Sequence, residues 1–563
     1  MTSLAPFLIF FVGAIFVLLT RGVLRSIVLL IIPIIGAANL LAMGEGVHLQ
    51  ATLFDYSLTV VRADKLSLLF GYLFHLAAFI GVIFSLHVRD TVQHVSGVLY
   101  AGSALGAVFA GDMITLFVFW ELLAVTSVFL ILARRSEQSF RASMRYLLIQ
   151  VLSGVILLAG VLLRAHETGS IAFDFIGLDG LSSWLIFLAF GIKCAFPFLH
   201  NWLTDAYPEA TPTGTVFLSA FTTKVAVYSL ARGFPGTELL VYIGATMAMF
   251  PIFFAVIEND LRRVLAYSLI NQVGFMVCGI GIGTALAING AISHAFNDVI
   301  FKGLLFMTMG AVLYRTGKIN GSELGGLYKS MPLTTGFCIV GAASISAFPL
   351  FSGFVSKSMV MVAALEEGHP IVWLALLFAS AGVFHHAGIK IPFFAFFAHD
   401  SGIRTEEAPR NMLIAMGLAA VLCIFNGSYP WLLYSLLPYP VHYEPYTVAH
   451  VITQTQLLFF SALAFCWLKL TGLYPPELPS INIDVEWSYR KALPSLARWG
   501  LRLGRSLGGG LSTQLQRAIE QFLRQVYRHH GPRGVFGRTW PTGSMAFWMT
   551  FLLGTYLIVY YIQ

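Results

Sequence analysis

The chain has 563 residues, 57% of them hydrophobic and only 11% charged, with a mean hydropathy of +0.79. That balance excludes the ordinary soluble classes, implies no nucleic-acid partner and puts the chain among polytopic, all-α membrane proteins. The formal net charge of +7 matters less for its size than for its placement, because basic residues collect in alternate loops.

Sixteen apolar runs read as spans, at about 4–20, 24–43, 66–87, 95–111, 113–133, 146–164, 182–203, 213–231, 238–257, 264–285, 287–313, 333–363, 371–397, 411–437, 451–471 and 543–562. The first run has no basic leader and no small-residue cleavage site before the second begins, so it is expected to be a retained span. Cys194, Cys278, Cys338, Cys423 and Cys466 fall one per span, which gives neither a disulfide frame nor a metal motif. Loops after odd-numbered spans carry Arg21 and Arg25, then Arg134, Arg135, Arg141 and Arg145, then Arg262 and Arg263, then Arg315, Lys318 and Lys329. The positive-inside rule makes those loops cytoplasmic and sends both termini to the other side of a cell (inner) membrane.

The first three spans carry no ionisable residue at depth except His75 and read as packing and lipid-facing material. In span five, Glu121 follows Asp112 by nine residues and precedes Arg134 by thirteen, so an acid sits mid-membrane. A carboxylate there must pair, neutralise or face water. It is either a protonated acid bonded to a neighbouring helix or the partner that biases a nearby lysine.

Span seven is GIKCAFPFLH around Lys193, with Pro197 four residues later. An ionised lysine at mid-depth costs ~2.5 to 3.5 kcal/mol on insertion scales. Pro197 breaks the helix beside it, and loose backbone groups in a membrane are tolerated only against protein or a water-filled cavity. The readings left open are a hydrated site between helices, and a lysine that snorkels or fixes a helix pair. His200, three residues past the break, is either a relay element or a satisfied interfacial residue. The polar segment HNWLTDAYPEATPTG is expected to be a tight cytoplasmic crossing, and Lys224 is the next charge at depth.

Span eleven holds His294, Asp298 and Lys302 at i, i+4 and i+8, which drift only about 40° per step and form one stripe about 12 Å long. Base, acid and cation on one stripe suit a proton relay, with Asp298 placed to hold and release the charge of Lys302; the alternative is a structural stripe against another helix. Span twelve repeats the design of span seven, with Pro349, Gly353 and Lys357. Two breaks at corresponding places predict two inverted five-helix repeats, spans four to eight and nine to thirteen, with a site at each break. Span thirteen adds His385, His386 and Lys390, of which at most one histidine joins a relay because adjacent residues face different ways.

From Asp484 to Arg538 the chain becomes basic and amphipathic, with a Gly508-Gly509-Gly510 hinge and a Gly531-Pro532 stop. Such a segment lies along a membrane surface or along neighbouring helices. The expected organisation is therefore N-terminal helices at 1–94, a first half-channel at 95–232, a second at 238–400, further core helices at 401–475, a lateral segment at 484–538 and a closing span at 543–562.

These motifs resemble the antiporter-like, proton-translocating subunits shared by respiratory complex I (NADH-quinone oxidoreductase) and Mrp-type cation/proton antiporters, most of all the D-type Mrp subunits. The resemblance runs from about residue 95 to 400 and rests on FWE ending at Glu121, GIKCAFPFLHNWLTDAYPEATPTG through Lys224, DLRRVLAYSLINQVG, HAFNDVIFKGLLF and FPLFSGFVSK. It implies fourteen core helices with two inverted repeats, broken seventh and twelfth helices and a central charged axis. It also implies that Glu121 and Lys193 form the first half-channel pair, Lys224 the connecting lysine, Lys302 with His294 the central relay, and Lys357 the terminal ionisable group. Asp298 stands where members with a histidine pair carry the second histidine, and the set His385, His386 and Lys390 lies outside the pattern.

No nucleotide, flavin, haem or metal-cluster motif is present, so no cofactor and no catalytic site of its own is expected. The expected role is a proton path in a membrane complex with other membrane subunits. Three drivers remain open: sodium exchange in an Mrp-like antiporter, redox chemistry in a complex I-like or membrane-bound hydrogenase arm, and a soluble partner in an inorganic-carbon uptake module. A non-conducting structural subunit is the bland alternative.

Overall fold

Apolar runs with few charges can satisfy their backbone in a membrane only as helices, and helices dominate this chain. The computed structural model describes residues 4–53, 56–479, 482–507, 512–530 and 542–562, in two compact units, Met1–Asn482 and Ile483–Gln563. Among the described residues, thirteen helical stretches, with Gly214–Gly233 and Pro370–Phe397 each taken whole, are long and apolar enough to cross a membrane, and Pro6–Leu19, Gly180–Lys193 and Pro332–Ile345 are shorter apolar helices.

The first unit opens with α1 (Pro6–Leu19) and α2 (Gly22–Leu41). A departure from the all-helical reading follows, the antiparallel hairpin of β1 (Gly46–Leu53) and β2 (Tyr56–Ala63). Its β2 strand buries Leu58, Val61 and Ala63, and Thr59 O accepts from Gly111 N at 2.9 Å, so it closes over the end of a later helix. Then come α3 (Lys65–Ser85), α4 (Thr91–Phe109), α5 (Met113–Leu132) and α6 (Glu137–Thr168). Asp64 caps α3 in a reciprocal pair with Ser67, and Asp112 caps α5 by accepting from Thr115 N at 2.7 Å, each such cap contributing ~1 kcal/mol.

Breaks dominate the middle: α7 (Gly180–Lys193), α8 (Asn201–Ala206), α9 (Gly214–Ala220) and α10 (Thr222–Gly233). The run read as span eight is thus two helices, parted at Phe221. After α11 (Glu238–Ile257), α12 (Leu261–Ile282) and α13 (Ala285–Thr316), the chain breaks again between α14 (Pro332–Ile345) and α15 (Ser352–Glu366). Next, α16 (Pro370–Val383) runs into π-helical turns at Phe384–Lys390 and Phe393–Phe397. The run read as span fourteen divides into α17 (Arg410–Ser428) and α18 (Trp431–Ser435), and α19 (Val448–Leu470) ends the helices of the first unit.

Burial sorts these helices by role. The most apolar windows of α12 and α13 are 94% buried against 33% for α2, so the polar stripe of α13 faces protein and not lipid. Two connections share one backbone design: Asp112 bridges Ala172 and Asp260 bridges Asn320, while α6 and α13 are each 32 residues long and end on left-handed Gly169 and Gly317. The second member of each pair follows the first by 148 residues, from 112 to 260 and from 169 to 317.

The second unit holds α20 (Leu493–Leu507), α21 (Ser512–His530) and α22 (Thr542–Ile562). The triple-glycine hinge at Gly508 to Gly510 and the Gly531-Pro532 stop lie outside the described residues.

Candidate functional site: a buried charged axis

Each helix break is built from residues that ordinarily avoid its backbone geometry. Ala195 and Phe198 sit at φ 62° and 68°, and Ala347 and Leu350 at φ 59° and 73°, around Pro197 and Pro349. A non-glycine residue in this region costs ~1 to 3 kcal/mol and persists only where its surroundings hold it. The freed carbonyls find side chains: Ile192 O accepts from Trp202 Nε1 at 2.8 Å, and Ile345 O from Lys357 Nζ at 3.0 Å. Close backbone approach explains a glycine beside each break. A Cβ on Gly191 would meet the Phe196 ring at 2.4 Å, and one on Gly353 would meet Ser344 O at 1.9 Å.

Lys193, the last residue of α7, is fully buried. Its ammonium donates to Trp120 O and lies 4.4 Å from the centre of the Trp120 ring. Trp120 is fixed in turn, its Nε1 donating to Ser153 Oγ at 3.0 Å and Ser153 Oγ to Ala189 O at 2.8 Å. The carboxyl of Glu121 packs on Gly154 and acts on Lys193 electrostatically without a direct ion pair between them. An acid held near, but not on, a buried ammonium is an arrangement whose strength a small movement changes.

The second group gathers on α13. Lys224 from α10 forms an ion pair with Asp298 at 2.6 Å, both side chains fully buried, and also donates to Ser219 O at 3.1 Å. Lys302 donates to Ser268 Oγ of α12 at 2.8 Å. The two ring nitrogens of His294 stand 3.1 Å from Gln272 Oε1 and 3.1 Å from Ser356 Oγ, so α12 and α15 hold it from both sides. The i, i+4, i+8 stripe is present, yet its three members do not bond one another. Each step of about 40° turns the next side chain toward a different neighbour. The sequence expectation pairs Asp298 with Lys302; its direct partner is Lys224, while its charge also acts on Lys302 and Lys357. One carboxylate therefore serves three buried lysines.

Cys194, the residue after Lys193, lies in the field of Lys224, which brings the two groups near one another at the first break. His200 stands buried at the start of α8 with its ring 4.7 Å from Phe250. The segment beyond it is pinned by Arg262, whose guanidinium donates to Pro208 O at 2.9 Å, Ala210 O at 3.1 Å and Thr215 Oγ1. Sequence reading assigns Arg262 only to a loop; the basic pair in DLRR gives no sign that one member is buried. It also misses Gln272, Ser268 and Ser356, whose ordinary polarity on apolar helices is the available signal.

Residues 110–384 match the family described as NADH:quinone oxidoreductase/Mrp antiporter, TM. That core of the chain, just under half of its length, is similar to this family. The chain is 27% identical to Hydrogenase-4 component B of Escherichia coli over 76% of its own length and 71% of that protein's. It is 30% identical to the D-type Na(+)/H(+) antiporter subunit of Alkalihalophilus pseudofirmus, over 54% of its own length and 64% of that protein's. In fold it is similar to a chain of the membrane-bound sulfane sulfur reductase, an archaeal respiratory membrane complex, with a TM-score of 0.73 at 21% identity over 98% of this chain and 99% of that one. Glu121, Lys193, Lys224, His294, Asp298, Lys302 and Lys357 all fall inside the matched antiporter-family segment, whereas His385, His386 and Lys390 lie just past its end.

Proposed function

We propose that the chain is the proton-translocating subunit of a multisubunit membrane complex, with an Mrp-type cation/proton antiporter as its setting, in the D-type position, and sodium as the exchanged ion. The observation that carries this reading is the Lys224–Asp298 pair, a fully buried ion pair joining α10 to α13 at the centre of a line of buried cations. Burying four lysines at mid-depth is costly and rare without a pathway to serve. In this reading Glu121 sets the charge of Lys193. A shift of that pair moves a proton by way of Lys224, Asp298 and Lys302, with His294 between α12 and α15, to Lys357, water bridging the gaps. The matching breaks and the 148-residue spacing support two inverted five-helix repeats, 95–232 and 238–400, within sixteen crossings. The alternation of basic loops supports termini on the non-cytoplasmic side, and α20 and α21 would lie along a membrane surface or neighbouring subunits.

A second reading, a redox-driven membrane arm, draws on the match to Hydrogenase-4 component B over 76% of this chain, a share that the Na(+)/H(+) antiporter subunit A1 of Staphylococcus aureus also reaches. The deciding experiment is proton and sodium flux in vesicles holding the whole native complex, comparing wild type with Lys193→Ala and Glu121→Gln, with assembly checked on a native gel. Loss of flux in assembled variants supports the axis as a path, and dependence of that flux on sodium separates an antiporter from a redox pump. Unchanged flux in both assembled variants overturns the reading.

A further inference from the structure

Past the matched segment, α16 gives way to a π-helical turn, Phe384–Lys390, just ahead of Pro392. Such turns are uncommon, recur at functional sites, and here accompany a proline that removes a backbone donor. The turn packs on the second break: a Cβ on Gly388 would meet Ser346 Oγ at 2.3 Å, and the Phe384 and Phe348 rings lie 5.6 Å apart.

His386 in this turn is fully buried, and among the described residues its ring has only an imperfect contact to the backbone of Gly382, with neither ring nitrogen making a well-formed hydrogen bond. A buried polar group whose hydrogen bonding is incomplete is unfavourable, so packing alone does not account for an imidazole there. The charges of Lys302 and Lys390 both act on it. Lys390, four residues on, donates to Val256 O and Glu258 O at 2.6 Å each and stands 3.0 Å from Glu477 Oε1. The carbonyls are those that close α11, where a cation is favoured by the helix dipole. Glu477 lies on the stretch after α19; its side chain is only 5% exposed, but its neighbour Leu478 is exposed, so this cluster ends one residue from the edge of the unit. Burial pushes the Glu477 carboxyl above the usual carboxylate range, against the pull of Lys390. His385, Tyr474, Glu258 and Lys469 are the other titratable groups facing the cluster.

We propose that His386, Lys390 and Glu477 form a second proton branch, joining the central lysine Lys302 to the edge of the protein beside the end of α11. The inference rests on the charged-axis reading, because the branch needs Lys302 to carry protons. A structural staple would explain Lys390, which fills its donors with carbonyls and a carboxylate, but it leaves His386 without a task. In transfer, a new N–H bond forms at one ring nitrogen of His386 as Lys302 gives up its proton. The other ring nitrogen releases a proton to Lys390 in its neutral form, and Lys390 passes one to the Glu477 carboxylate. Every N–H or O–H bond broken is matched by one formed, and no redox partner is needed.

The test uses the whole native complex in vesicles, with proton flux followed by a pH-sensitive dye across a pH series and assembly checked on a native gel. His386→Gln and Glu477→Gln are each expected to lower flux at least fivefold and to shift its pH profile, while Lys302→Ala abolishes it. Wild-type flux and pH profile in assembled His386→Gln and Glu477→Gln, alongside loss in Lys302→Ala, overturns the branch and leaves the axis standing. Wild-type flux in Lys302→Ala as well overturns the underlying reading. Should His386→Gln fail to assemble, Glu477→Gln at the protein edge decides, and failure of both to assemble makes the cluster structural and overturns the branch.

Discussion

The Lys224–Asp298 pair offers the sharpest test of how this core is held. At 2.6 Å and an effective dielectric of about 20, the gross attraction is ~6 kcal/mol. Taking two ions out of water costs several kcal/mol each, so the pair as a whole is close to neutral for stability. Removing one partner is different, because it strands a buried charge and costs ~3 to 5 kcal/mol. Lys224→Met and Asp298→Leu should therefore each lower the apparent thermal midpoint of the intact complex strongly. The double variant, apolar on both sides, should return to near the wild-type midpoint. Proton flux should vanish in all three, which separates the role in conduction from the role in stability. A double variant whose loss equals the sum of the singles would refute the pairing, since uncoupled sites add.

Gly154→Ala places a methyl 1.4 Å from the present position of Glu121 Oε1, so the carboxyl must move while α6 gains ~1 kcal/mol of helix propensity. Assembly should be unchanged and proton flux should fall about tenfold, as expected of a group matched in position to its proton-transfer partner; unchanged flux would show that the placement of Glu121 is immaterial. At the second break, Ala347→Gly relieves a left-handed residue and should leave the thermal midpoint of the complex unchanged or raise it, whereas β-branched Ala347→Val should lower it by the equivalent of ~2 kcal/mol. Asp64, capping α3 and 2.6 Å from Arg232, is opposed by burial but held below its ordinary value of 3.8 by Arg232 and Ser67. Its contribution is therefore fully present above that value and is lost as pH falls through the lower folded value. The stability gap between wild type and Asp64→Asn should be constant from neutral pH down to about 4 and close below it.

What the sequence made legible was whatever a membrane makes expensive. Lys193, Lys224, Lys302 and Lys357 stood out because an apolar run has no other reason to carry them, and Pro197 and Pro349 because a helix cannot pass through them unchanged. The hairpin at Gly46–Ala63 is not legible in the sequence because its alternation is short and sits between two much stronger helical signals. The choice of Lys224 over Lys302 as the partner of Asp298 was not legible either. Spacing along α13 fixes which residues share a stripe, but only the packing of α10 and α12 decides which neighbour each one meets. Glu477 gave no signal, since a lone acid in a loop after a span is ordinary until the loop folds back onto Lys390.

The two breaks show how one backbone design can carry a lysine in two ways. Both read Ala-Phe-Pro followed by a large apolar residue, at Ala195 to Phe198 and Ala347 to Leu350, with left-handed residues at the first and last positions. Lys193 precedes the first break by two residues, and the residue two before the second is Ile345. No lysine stands there, yet the Lys357 ammonium arrives at Ile345 O from the far side of the break, at 3.0 Å. The donors thus differ: at the first break Trp202 Nε1 serves Ile192 O while the Lys193 ammonium goes to Trp120 O, and at the second break the Lys357 ammonium itself serves Ile345 O. What the two halves share is a freed carbonyl that needs a donor and a lysine brought to the break; the first half meets the two with separate side chains and the second with one ammonium. Moving the lysine, as in Lys357→Met combined with Ile345→Lys, should then restore part of the proton flux that Lys357→Met alone removes. Flux as low in the double variant as in the single would show that the second half needs its lysine on α15 and that the likeness of the breaks is architectural only.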